Sequence, residues 1–251
     1  MPGLGDADVI VTALGKQGAV FTVKSKMQVC LVVFALFSTV ALAATGSTTT
    51  TWDCCKPACS DTRNTNTLKL GLTGIAAACY KNNTLLDPKI TGAASNACFG
   101  SSGTAYSCKT YQPIIVNSTF SYVFAGNWQT ANCCKCFHVT WTSGAGKGKS
   151  MIVQVINSFG VSTGDFDLYT PGGGVGGLQA CQSQYGAPKQ GWGSQYGGVQ
   201  SLSQCSQLPA SLQDGCKWRF NWAGGTVNGW STTYNQVTCP TELTDISRCS
   251  A

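Results

Sequence analysis

Carboxylates are scarce in this chain, so the search for paired acids is short. Of 251 residues only 10 are Asp or Glu, Glu242 being the one Glu, and there is a single His, His138. A Ser-His-Asp arrangement would have to use that His, which stands among apolar neighbours in "CFHVTWT" and reads as a structural or surface residue. Asp87 precedes Pro88 and Asp214 precedes Gly215, so both read as turn residues; Asp61 and Asp245 lie in polar surroundings suited to solvation or capping. Two acids differ. Asp53 lies between Trp52 and the pair Cys54-Cys55, and Asp167 lies between Phe166 and Leu168. Apolar neighbours favour the protonated form that a general acid needs, and a cystine-pinned stretch gives the fixed position that a general base needs. Two such carboxylates facing each other are the minimum equipment for hydrolysing a glycosidic bond. Spacing alone leaves them as readily structural as catalytic.

The elements that must position these acids begin with cysteines. A mostly apolar run, "VCLVVFALFSTVAL" from Val29 to Leu42, follows Lys24 and Lys26 and ends in the small-residue site Ala41-Leu42-Ala43. That pattern is a secretory signal with cleavage after Ala43, and it is short for a membrane span. Residues 27–43 are read as the signal, 1–26 as an upstream extension left out of the fold, and 44–251 as a single domain without a separate carbohydrate-binding module. Of 15 cysteines, Cys30 falls inside the signal and leaves fourteen, an even number that reads as seven disulfides in a secreted, extracellular protein. "CCKC" at Cys133–Cys136 with His138 could suggest zinc, but the even count behind a signal favours cystines, and no metal or cofactor is expected. Asn82 in "NNT" and Asn117 in "NST" are glycosylation sequons. The net charge of +6 is spread without a basic block, which argues against a nucleic-acid partner. No membrane contact is expected after cleavage, and the protein reads as a monomer.

Long amphipathic helices use many Glu and Lys, so this composition points to a β- and loop-rich fold. Period-two patterning predicts strands in "CFHVTWT" and "CKWRFNW", and "SMIVQVIN" reads as a strand because it is a β-branched run apolar on nearly both faces; in "CKWRFNW", Cys216, Trp218, Phe220 and Trp222 would share one face and Lys217, Arg219 and Asn221 the other. Residues 44–50, "ATGSTTT", read as a polar leader, and short helices are expected near Leu68–Ala78 and Leu202–Gln213. "GGGVGG" from Gly172 to Gly177 reads as a closely packed or flexible loop rather than a phosphate cradle. Short strands need their edges managed, which a closed or nearly closed barrel achieves.

At these residues the sequence resembles glycoside hydrolase family 45, small secreted endo-β-1,4-glucanases. The resemblance rests on "TWDCCKPACS" from Thr51, "AYSC" from Ala105, "NCCKCF" from Asn132, "FDLYTPGGGVG" from Phe166, "QYGG" from Gln195, "GCKWRFNW" from Gly215 and "QVTCPTEL" from Gln236, together with the order of the fourteen cysteines. It implies a six-stranded double-psi β-barrel with a long groove, an inverting mechanism, Asp53 as general base and Asp167 as general acid. It also implies the bridges Cys54–Cys181, Cys55–Cys98, Cys59–Cys133, Cys79–Cys108, Cys134–Cys249, Cys136–Cys239 and Cys205–Cys216. Lys56 and Tyr196 match positions bordering the groove. Thr51 stands where the family usually has Tyr, Gly160 where many members carry a third acid, and Asp165 where His is usual.

The expected function is hydrolysis of internal bonds in cellulose or a related β-glucan, with a polysaccharide as the partner. A xyloglucan- or glucomannan-specific hydrolase is the alternative substrate reading. A non-catalytic wall-binding protein of the expansin kind shares the barrel but would lack Asp53, and a barwin-type defence protein would lack both the motif set and this length.

Overall fold

The computed structural model describes residues 43–251, apart from 101, 159–161 and 163, together with three strands ahead of them. The chain divides into two compact units, Met1–Leu42 and Ala43–Ala251. In the first, β1 (Val9–Ala13), β2 (Ala19–Ser25) and β3 (Gln28–Phe34) form an antiparallel sheet in that order. Residues 35–42, which hold the rest of the expected signal, and Gly160 lie outside the described residues.

The second unit is a closed barrel. Its strands are β4 (Ala44–Thr51), β6 (Phe120–Asn127), β7 (Cys136–Trp141), β8 (Ser150–Asn157), β9 (Phe166–Tyr169) and β10 (Trp230–Val237), with the two-residue β5 (Ile114–Ile115) on the rim. The order β6-β8-β7-β10-β4-β9 closes because β9 also pairs with β6. Two of the six pairings, β6 with β8 and β4 with β9, are parallel, which gives the double-psi arrangement. Closure leaves none of the six an open edge. Val123, Val139, Met151, Val153, Val155 and Leu168 fill the interior with no exposure.

Five local expectations are corrected. The "polar leader" is β4, a strand paired on both sides. Polar residues sit there because their hydroxyls are satisfied: Thr48 Oγ1 donates to the Val227 carbonyl at 2.7 Å and accepts from Trp141 Nε1 at 3.0 Å, and Thr50 Oγ1 donates to the Gly173 carbonyl. "CKWRFNW" is not a strand. It completes the helix Ala210–Lys217 and continues as a π-helical segment, Trp218–Ala223. Leu212, Gly215, Cys216, Trp218, Arg219, Trp222 and Ala223 are buried, a three-to-four-residue recurrence. Arg219 misled the alternation because Arg is ordinarily a surface residue; here it is fully buried, its guanidinium donating to the carbonyls of Gly172, Gly197 and Val199. Asp214 is therefore a helical residue, paired with Lys217 at 3.2 Å, rather than a turn. The helix expected at Leu68–Ala78 is only the single turn Thr67–Leu70, and Leu202–Gln213 divides into a 3-10 helix, Leu202–Gln207, and the start of Ala210–Lys217.

Seven cystines tie the loops to the barrel: Cys54–Cys181, Cys55–Cys98, Cys59–Cys133, Cys79–Cys108, Cys134–Cys249, Cys136–Cys239 and Cys205–Cys216. Among the described residues no helix is long and apolar enough to cross a membrane, and no group of three or more His, Cys, Asp or Glu could hold a metal ion.

Candidate active site

β4 and β9 build the site. Their parallel register sets Thr49 opposite Asp167 and Thr51 opposite Tyr169. Thr49 Oγ1 donates to Asp167 Oδ1 at 2.8 Å. One turn of the pleat earlier, the Ser47 amide and hydroxyl both donate to Asp165 Oδ1, at 2.9 and 2.8 Å.

The contact between the two chain segments continues past the end of β4. Thr170 N–H donates to the Thr51 carbonyl, Trp52 N–H to the Gly174 carbonyl and Ala180 N–H to the Asp53 carbonyl. Beside that last bond the Cys54–Cys181 cystine closes, and Cys55–Cys98 follows at the next residue. Cys54 has φ of 62°, the left-handed region that non-glycine residues rarely occupy, and this turn lets the Cys55 amide donate to Asp53 Oδ1 at 2.9 Å. Gly174, at φ 104°, has no room for a side chain: a Cβ would lie 2.7 Å from the Gly197 amide nitrogen. The glycine-rich loop is thus closely packed, and Arg219 ties its first residue, Gly172, to the Gly197–Val199 segment.

Asp53 and Asp167 line one cleft of 790 Å³ with Thr49, Thr51, Asp165 and Tyr196. A second cavity, of 510 Å³, takes in Lys56, Asp61, Arg63 and Phe99, and meets the first at Asp53, Asn157 and Leu178, which line both. Tyr196 is 73% exposed on the wall of the first cleft. Lys56 is buried, and its ammonium donates to the Gly92 and Ala94 carbonyls rather than standing free in the groove. Ser162, in a G-x-S-x-G string at 160–164, lines the first cleft, whereas His138 lines neither cavity. The sequons Asn82 and Asn117 are exposed, each with its Oδ1 accepting from the amide two residues on.

Both carboxylates are half-buried on the floor of the cleft, and their surroundings separate them. Burial pushes Asp53 up to about 6, opposed by the Cys55 amide. Burial pushes Asp167 up to about 7; the Thr49 hydroxyl opposes this and the charge on Asp53 adds to it. Both carboxyls are thus held above the ordinary carboxylate range, and the charge on Asp53 favours the protonated form of Asp167.

The description Glycosyl hydrolase family 45 matches residues 45–250. This chain belongs to that family. As a family 45 glycoside hydrolase it resembles an endoglucanase of Cryptopygus antarcticus, 42% identical over 214 residues that cover 82% of this chain and 89% of that protein. A putative endoglucanase type K of Fusarium oxysporum is 41% identical over 83% of this chain, which spans 54% of that longer protein. The crystal structure of a cellulase from the Antarctic springtail, Cryptopygus antarcticus, matches with a TM-score of 0.74 at 40% identity, over 83% of this chain and 97% of that one.

Sequence reasoning missed Thr49, Asn157 and Arg219. The alternation of Thr48 and Thr50 inward with Thr49 and Thr51 outward was the available signal for the first, hidden because β4 has no apolar residue larger than Ala44.

Proposed function

We propose that the protein is a secreted endo-β-1,4-glucanase that hydrolyses internal bonds of cellulose or a related β-glucan with inversion. The observation that carries this reading is the pair of half-buried carboxylates in one cleft, with Asp53 the more easily ionised. Asp167 gives its proton to the glycosidic oxygen as the C1–O bond breaks. A water attacks C1 from the opposite face, and Asp53 takes the proton that water loses. The acids end with their protonation exchanged and reset through solvent. Thr51 and Tyr196 line the cleft as sugar contacts, Tyr196 through its open ring face. Thr51, smaller than the usual Tyr, leaves space where the side branch of xyloglucan fits.

In the reading as an inverting pair, the carboxyl groups stand about 6.5–9.5 Å apart, wide enough for water between base and sugar. Early-time proton NMR on a short β-glucan should find the α-anomer first; a β-anomeric first product overturns the mechanism. Reducing-end assays on carboxymethylcellulose, xyloglucan and glucomannan side by side identify the substrate. Intact mass of the secreted protein should fit cleavage after Ala43 and seven cystines.

A further inference from the structure

The strand face that carries Asp167 also carries a phenol with nothing to bond. Side chains alternate along a strand, so Asp167 and Tyr169 leave β9 on the same side. Tyr169 is 1% exposed, with its ring edge-on to Trp52 at 6.0 Å and to Tyr111 at 6.3 Å. The neighbouring Tyr111 hydroxyl donates to the Ala77 carbonyl at 2.7 Å. The Tyr169 hydroxyl closes no hydrogen bond of ordinary geometry, although Asn157, Asp53 and Asp167 are the polar groups around it. A buried hydroxyl left unpaired costs stability, and a cost of that kind beside a reactive pair points to a use.

Asn157 supplies half of that use. Its Oδ1 accepts from the Ala58 amide at 2.8 Å, so the group it can offer the phenol is Nδ2–H, a donor. The phenol oxygen can accept from it and turn its own proton outward. Burial and the two neighbouring carboxylates hold the phenol well above its usual range, so it stays protonated and can only donate to an anion.

Asp53 has room for a second such donor beside the Cys55 amide, which donates to its Oδ1 at 2.9 Å. The ionisable groups beside it are Asp167 and Tyr169, neither of them cationic. The cations nearby are committed elsewhere, Lys56 to the Gly92 and Ala94 carbonyls and Arg63 to Asp61. A neutral hydroxyl stabilises the base without placing a positive charge next to Asp167, which would strip the acid of its proton.

We propose that Tyr169 is a positioning residue for the acid–base pair, accepting from Asn157 Nδ2 and donating to the Asp53 carboxylate as it ionises. This rests on Asp53 being the base. Tyr169→Phe, which keeps the ring and its packing, tests it. Turnover should fall about tenfold or more with KM on a soluble β-glucan nearly unchanged. The acid limb of the pH profile of kcat/KM should move to higher pH, because the base loses a donor to its charged form. The melting temperature should change little at pH 4, where Asp53 is protonated, because the buried ring and its packing are kept. Parent-like turnover and acid limb, or a fall in turnover matched by a fall in melting temperature with no limb moved, overturns the assignment. Asp53→Asn in the same assay separates the two ideas. If it retains turnover, the base reading fails and this one with it. If it is inactive while Tyr169→Phe behaves as the parent, only the role of Tyr169 falls.

Discussion

Asp53 and Asp167 reach the same cleft on opposite kinds of support. Asp167 belongs to a barrel strand paired on both sides, to β4 and to β6. Its place follows from register alone, and the only side chain needed to orient it is the Thr49 hydroxyl opposite. Asp53 lies beyond the end of β4 on irregular backbone, where a left-handed Cys54, two cystines and a backbone amide do what the ladder does for its partner. A closed sheet thus positions one acid through its own hydrogen bonds, and the acid outside the ladder is pinned covalently. Since a misplacement of about 1 Å can cost roughly a hundredfold in rate, the pins matter to chemistry as well as to stability.

The comparison is broken most completely by removing either carboxylate. Asp53→Asn and Asp167→Asn should each lower turnover by about 10²–10⁴-fold, the usual worth of a positioned acid or base. Both acids are raised above their ordinary values in the folded state, so the stability they permit is present at low pH and is lost as pH rises through about 6 and about 7. Each Asn variant should therefore be inactive yet melt higher than the parent at pH 8, with little difference at pH 4. Equal melting at both pH values would show that the acids are not desolvated as described.

The next test asks whether the pins act on position. Replacing both Cys55 and Cys98 by Ala frees the segment behind Asp53; replacing Cys205 and Cys216 opens a loop bridging 11 residues, with neither cysteine lining the cleft. Each loss should cost about 2–4 kcal/mol of stability. At a temperature where both variants stay folded, the first should lose about a hundredfold in turnover and the second almost none. Equal turnover would reduce the Cys55–Cys98 bridge to a staple.

These two supports were unequally legible in the sequence. Asp53 stood out because Trp52 and the Cys54-Cys55 pair surround it, although which cysteines they join came from the family resemblance and not from spacing. Asp167 stood out against Phe166 and Leu168. The β-rich class followed from composition, β7 from alternation and β8 from its β-branched apolar run. β4 did not, because its inward face is Thr48 and Thr50, and a strand whose buried side chains are hydroxyls has no hydrophobic period to read. The helical turn through Trp218 and Arg219 was read as a strand for the complementary reason: a buried cation satisfied by three carbonyls looks like a solvent face until those carbonyls are in place. Tertiary partners, absent from any local window, decided both.

The finest distinction is between the two hydroxyls of β4 that hold acids. Thr49 donates to Asp167 and Ser47 to Asp165, at the same 2.8 Å. Only Asp167 is proposed to move a proton. A donor to a carboxylate favours its ionised form, so Thr49→Val, nearly the same shape without the hydroxyl, should raise Asp167 above about 7. The acid must be protonated to work, and the alkaline limb of the pH profile should move to higher pH. A hydrogen bond to a charged group is worth about 1.5–3 kcal/mol, or one to two pH units; the open side of the cleft reduces this to about half a unit to one unit. The acid limb, set by Asp53, should stay within about a tenth of that shift, as expected for a change that does not touch the base. Ser47→Ala removes a similar contact from the neighbouring acid and should move neither limb. An alkaline limb that stays put in Thr49→Val, or that moves as far in Ser47→Ala, would mean that register places Asp167 without tuning it.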